Sequence, residues 1–120
     1  MRVRITEYLD IDIEKERWCC NRCSHDLGSA RESYKLSCLL RDRDPREVHA
    51  PIGPDPKFNF APDPDWVRLI EIYCPGCGTQ IENEYLPPGH PLTWDIQLDI
   101  DALKRKYADD TTKPAMKAGA

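Results

Sequence analysis

Phenylalanine is scarce in this 120-residue chain, at two residues, and no apolar run approaches the roughly 20 residues that cross a bilayer. The opening MRVRITEYLDIDIE lacks the continuous apolar stretch of a secretory signal. Those absences predict a cytoplasmic protein with reduced thiols and no membrane partner. A phosphate-cradling glycine loop, a nucleophile elbow and a paired-carboxylate motif are missing too, so no catalytic residue is expected. His25, His49 and His90 are scattered without an acidic or serine partner at a recognisable spacing and read as exposed or hydrogen-bonding side chains. Long basic tracks are also lacking. The net charge is −4, and acidic residues gather toward the C-terminal half in DPDW, IENE and WDIQLDIDA, which argues against nucleic acid as a partner. The basic clusters Arg41/Arg43 and Lys104/Arg105/Lys106 read as solvated faces.

What is present begins with cysteine. A chain this size can bury only about 60–70% of its unfolded surface, so a staple is expected. Six cysteines could make disulfides in a secreted protein, but in a reducing compartment paired C-x-x-C clusters point to metal or redox chemistry. Zinc takes four ligands at tetrahedral corners, and two intervening residues let one turn of backbone place two sulfurs about 2.3 Å from one ion. Cys20-Asn-Arg-Cys23 supplies one such turn and Cys74-Pro-Gly-Cys77 the other. The expected ligands of one structural zinc per chain are therefore Cys20, Cys23, Cys74 and Cys77. Cys19 and His25 lie close enough to substitute, although the two-residue spacing favours Cys20. A closed shell of four thiolates leaves no position for water or substrate, so the ion is expected not to catalyse. A dithiol redox site would open a helix, and neither cluster precedes a convincing one. Cys38, on the apolar side of an expected strand, reads as a buried small hydrophobe.

The rest of the chain reads as a mainly β, small zinc-ribbon-like domain with a long irregular proline-rich loop and extended terminal arms. Residues 2–14 alternate with period two, Val3, Ile5, Leu9, Ile11 and Ile13 sharing one side, so 1–14 reads as an N-terminal extended arm or strand whose pattern breaks at Glu7 and Tyr8. The zinc-ribbon-like domain spans 15–102, with a second short strand expected over Tyr34–Leu40. Six of the eleven prolines fall in 41–65, where neither helix nor central strand should persist. A loop that long is usually functional, and its Ile52, Phe58 and Phe60 suit a partner surface. Trp66–Tyr73, the CPGCG knuckle and TQIENEYL make the hairpin of a zinc ribbon. Strict alternation of Trp94, Ile96, Leu98 and Ile100 predicts another strand over 94–101. Residues 103–120 are a brief helix, capped by Asp99 or Asp101, and a disordered tail.

The segment IYCPGCGTQIENEYLPPGHPLTWDIQLDID, Ile72 to Asp101, resembles the signature of the small gamma-type subunits of acetone and acetophenone carboxylases. WCCNRCSHDLG, SYKLSCLLRDRDPREVH and PDPDWVRLIEIYCPGCG are similar to the same family in the same order, so the likeness covers about residues 15–102. The C-x-x-C pairs alone are common to many zinc ribbons, whereas the Arg-Asp-Arg-Asp-Pro stretch and the PPGHP segment are far more particular. The resemblance implies a non-catalytic subunit of a biotin-independent, ATP-dependent complex that adds bicarbonate to a ketone to give a 3-oxo acid. ATP and bicarbonate would bind only on the partners, large subunits similar to hydantoinases, in a hetero-oligomer. The chain is shorter than the acetone enzyme's small subunit, which favours the acetophenone type. A nucleic-acid-binding zinc ribbon is the alternative function.

Overall fold

The computed structural model describes residues 1–49, 53–54 and 61–108. Two antiparallel sheets share one core: a four-stranded sheet in the order β1-β2-β3-β4 and a three-stranded sheet in the order β5-β6-β7. The fold is thus mainly β, with few helices, as its alternating sequence predicts.

The first sheet comprises β1 (Arg2–Arg4), β2 (Leu9–Asp12), β3 (Arg17–Cys20) and β4 (Asp26–Ser29). The N-terminal stretch is not a single arm. It folds back on itself as a hairpin, Val3 opposite Ile11, and the turn falls where Glu7 and Tyr8 interrupt the alternation. The parity of the side chains is as expected: Val3, Leu9, Ile11 and Ile13 are all buried. Leu9 lies opposite Cys20 and Ile11 opposite Trp18, so neighbours across the sheet share one apolar face. Arg2, Arg4, Asp12 and Arg17 stand on the other.

The expected strand over Tyr34–Leu40 is a 3-10 helix at Tyr34–Ser37, capped by Ser33, followed by β5 (Leu39–Arg43). Serine at the cap accepts from the Lys35 amide and competes with strand pairing for the first residues. The proline-rich stretch also holds more order than its composition suggests. Asp44 caps a one-turn helix α1 (Pro45–Val48), with proline at the first position, where its missing amide has no intrahelical partner to lose. Ile52, Phe58, Phe60 and the tail from 109 lie outside the described residues.

β6 (Arg68–Tyr73) and β7 (Gln80–Leu86) form the expected hairpin around the second knuckle. Residues 94–99 form no strand, despite their alternation. A strand needs a neighbour for its backbone, and this segment is instead tethered by side chains, among them the Lys35–Asp95 ion pair at 3.2 Å. Only Ile96 and Ile100 pack inward, while Trp94 and Leu98 are exposed. At Ile100 the chain enters α2 (Ile100–Ala108), which lays Ile100, Leu103 and Tyr107 on the common core. No helix among the described residues is long and apolar enough to cross a membrane.

Asp99 caps α2 by accepting from the Ala102 amide at 2.9 Å. Asp99→Ala is expected to cost about 1 kcal/mol, read as a lowered Tm in thermal unfolding, with metal content unchanged.

Candidate metal centre

The two C-x-x-C turns are built alike. In the first, the Cys20 amide donates to the His25 carbonyl at 3.0 Å and the Ser24 amide to the Cys20 carbonyl at 2.8 Å. The second repeats this pattern: Cys74 donates to Thr79 at 2.9 Å and Gly78 to Cys74 at 2.9 Å. The closing residue of each turn is left-handed, Ser24 at φ 66° and Gly78 at φ 76°. Each knuckle therefore caps a strand end, β3 for one and β6 for the other, and the shared core brings them face to face.

Their four sulfurs, from Cys20, Cys23, Cys74 and Cys77, lie within 4.8 Å of one another. Cys20 Sγ is 3.8 Å from Cys77 Sγ, and Cys23 Sγ is 3.6 Å from Cys74 Sγ. A tetrahedron with arms of about 2.3 Å has edges of about 3.8 Å, so these spacings suit a single ion. All six cysteines are free thiols. The donor set can thus hold a metal such as zinc.

Strand alternation settles which member of the Cys19/Cys20 pair reaches the cluster. Trp18 and Cys20 point from β3 into the core and are fully buried, whereas Cys19 turns to the opposite face, its thiol 3.8 Å from the Arg17 carbonyl. His25 does not replace a sulfur; it stacks over the second knuckle. Cys38 is half-buried at the end of the 3-10 helix and donates to the Tyr34 carbonyl at 3.3 Å. Burial, and after it the neighbouring Cys74 and Cys20, push its thiol up to about 11. His49 Nε2 pairs with the Tyr85 hydroxyl at 2.8 Å and His90 Nδ1 with the Pro91 carbonyl at 2.6 Å, each remote in sequence from the cysteines.

The backbone is arranged for thiolates. The Gly76 amide lies 3.3 Å from Cys74 Sγ, and amides of Arg22 and Cys23 face Cys20. Thr79 contributes its hydroxyl at 3.0 Å from Cys77 Sγ, then its amide, and together they hold that thiol down at about 6. Desolvation raises Cys20, and desolvation with the adjoining sulfurs pushes Cys23 up to about 12. Burial therefore resists ionisation of Cys20 and Cys23. A divalent ion removes that resistance, since its ligands must be deprotonated.

Gly76 admits no side chain. A Cβ there would sit 2.9 Å from His25 Nδ1, 3.0 Å from His25 Cβ and 3.1 Å from Cys23 Sγ. Gly76→Ala is expected to push the first knuckle away and weaken metal binding by roughly 10–100-fold, the range seen when groups supporting metal ligands are altered. Competition against a chromophoric chelator measures it.

One group had no signal in the sequence. Lys35 is almost completely buried, and its Nζ lies 2.6 Å from Glu84 Oε2, 2.8 Å from the Thr93 carbonyl and 3.2 Å from Asp95 Oδ1. This cation joins the 3-10 helix, β7 and the segment leading to α2. A lysine flanked by Tyr34 and Leu36 carries no mark of its own burial; only the structure shows the carboxylates around it.

Comparison with known proteins agrees with the resemblance. The family model described as acetone carboxylase gamma subunit matches residues 3–108. The acetophenone carboxylase beta subunit of Aromatoleum aromaticum is 56% identical over 105 residues, 88% of this chain and 81% of that protein. The acetone carboxylase gamma subunit of Xanthobacter autotrophicus is 31% identical over 85 residues, 71% of this chain, which spans about half of that longer relative, 49%. Matched over nearly all of its described residues, the chain belongs to the acetone carboxylase gamma subunit family.

Proposed function

We propose that this chain is the zinc-stapled, non-catalytic assembly subunit of an ATP-dependent, biotin-independent ketone carboxylase, with Cys20, Cys23, Cys74 and Cys77 as the ligands of one zinc. The observation that carries the reading is the four-sulfur cluster, whose spacing fits one tetrahedral ion and whose ligands fill all of its positions. An ion so enclosed has no vacancy at which to activate water or polarise a carbonyl. Its role is to join two strand ends from separate sheets, which supplies the binding free energy a small core lacks.

Acetophenone-type chemistry, addition of bicarbonate to an aromatic ketone, is favoured over acetone because the 56% relative is named an acetophenone carboxylase subunit and is matched over 81% of its length. ATP and bicarbonate would be handled on large hydantoinase-like subunits. Exposed Trp66, Trp94 and Leu98 supply apolar surface for contact with them.

Co-expression with the large carboxylase subunits of the native host, followed by native mass spectrometry and elemental analysis, tests this. A complex containing this chain with one zinc per copy, whose ketone-dependent ATP consumption survives only while the chain is present, is the expected result. Recovery of this chain alone, with the large subunits fully active without it, would overturn the assignment.

A further inference from the structure

Strand β5 is an open sheet edge that begins apolar and ends charged. It is the outer strand of its sheet, paired to β6 from Leu39↔Tyr73 to Arg43↔Leu69 without a register shift. Among the described residues no backbone hydrogen bond reaches its outer side. Proteins usually blunt such an edge with charge, proline or a bulge, and Arg41, Asp42 and Arg43 do so for only the second half of β5. Here the strand opens with Leu39 and Leu40, which point to opposite faces and are 58% and 49% exposed, just after Leu36 at 72%. Both faces are therefore apolar at this end, beside an edge of backbone N–H and C=O groups.

Charge identifies what would cover it. Nearby Arg43, Arg46 and Arg68 each engage a carboxylate, with Glu47, Asp44 and Asp42 respectively. Arg41, at the middle of the strand, has no carboxylate within 4.0 Å among the described residues. A second copy pairing antiparallel about the centre of β5 would set Arg41 against its own equivalent, and like charges directly opposite are destabilising. An acidic segment from a different chain has no such conflict.

We propose that β5 is the docking edge for an extended segment of a larger carboxylase subunit, which adds as a fourth strand beside β5. Its apolar side chains cover Leu36, Leu39 and Leu40, and a carboxylate meets Arg41. Main-chain hydrogen bonds give such an added strand its affinity, while alternate side chains set its specificity. This inference rests on the reading of the chain as a carboxylase subunit and names the surface that joins it.

Hydrogen exchange on the full chain, alone and in complex with co-expressed large subunits, tests the edge directly. Amides in 39–43 should exchange on the order of tenfold more slowly in the complex. L39K/L40K and, separately, Arg41→Gln should weaken association by on the order of tenfold or more with one zinc per chain retained. Should the double variant lose metal, Arg41→Gln decides, because that side chain is exposed, has no carboxylate within 4.0 Å among the described residues, and as a neutral amide sets no like charge against Glu71 across the ladder. If the complex forms while the β5 amides stay unprotected and Arg41→Gln binds like the parent, the docking edge is wrong although the subunit reading stands. If the parent chain binds no large subunit, the subunit reading fails first. A self-associated chain that L39K/L40K disperses, in the absence of large subunits, would make a second copy the occupant and overturn the proposal.

Discussion

Cys74→Ser is expected to release the metal and unfold the domain, and no other single change should cost more. Binding of a structural zinc contributes on the order of 10 kcal/mol, and a domain of this class has a total stability of about 5–15 kcal/mol. Cys74 is fully buried just past the end of β6, so its loss removes one of the four clustered sulfurs and leaves a polar hydroxyl in the core. Cys20→Ser should behave the same way, because Cys20 holds the matching place at the end of β3. Cys38→Ser should cost about 1 kcal/mol, since a serine hydroxyl can keep the bond to the Tyr34 carbonyl. Elemental analysis and circular dichroism on the three variants check this. A folded Cys74→Ser protein that keeps one zinc would refute the ligand set.

The contrast between Cys74 and Cys38 follows from what could be read before any coordinates. Spacing alone picked out the two knuckles, because ligand geometry is local and a C-x-x-C turn carries it wherever it lies. The hairpin flanking the second knuckle was equally legible, its β-rich residues running into and out of Cys74 and Cys77. The two-residue spacing also favoured Cys20 over Cys19, and the strand at Trp18-Cys19-Cys20 supplies the physical reason, since Trp18 and Cys20 share the core face.

Alternation misled at 94–99 for a physical reason. Period two reports which side chains could face inward, but a strand exists only where another backbone accepts its hydrogen bonds. The N-terminal segment found that partner by folding back at Glu7–Tyr8, and the 94–99 segment did not. Its position depends instead on Lys35, which arrives from a distant part of the chain and whose carboxylates no sequence window contains.

Lys35→Met is the second substitution expected to be severe, and it isolates that tether from the metal. Removing the ammonium leaves Glu84, whose side chain is 14% exposed, with Thr93 as its remaining partner through the hydroxyl at 2.7 Å and the amide at 3.2 Å. Breaking a buried pair from one side typically costs about 3–5 kcal/mol because a charge is left uncompensated. Adding Glu84→Gln should recover a large part of that loss, since a neutral amide in the same place has no charge to desolvate. The two proteins should also differ in their pH dependence. In the parent, burial opposes ionisation of Glu84, but the hydrogen bonds from Lys35 and Thr93 outweigh it and hold its pKa below the usual value. The pair therefore contributes stability above the unfolded pKa of about 4.3 and loses it as pH falls through the lower folded value. In Lys35→Met the ammonium's contribution is gone, so the carboxyl's pKa rises from its parent value and the deficit should be largest near neutrality, shrinking as pH falls from there through the usual carboxylate range. Thermal unfolding of the zinc-loaded parent, single and double variants across that interval measures both effects. A single variant as stable as the parent at neutral pH would show that the buried cation does not hold the 94–99 segment in place.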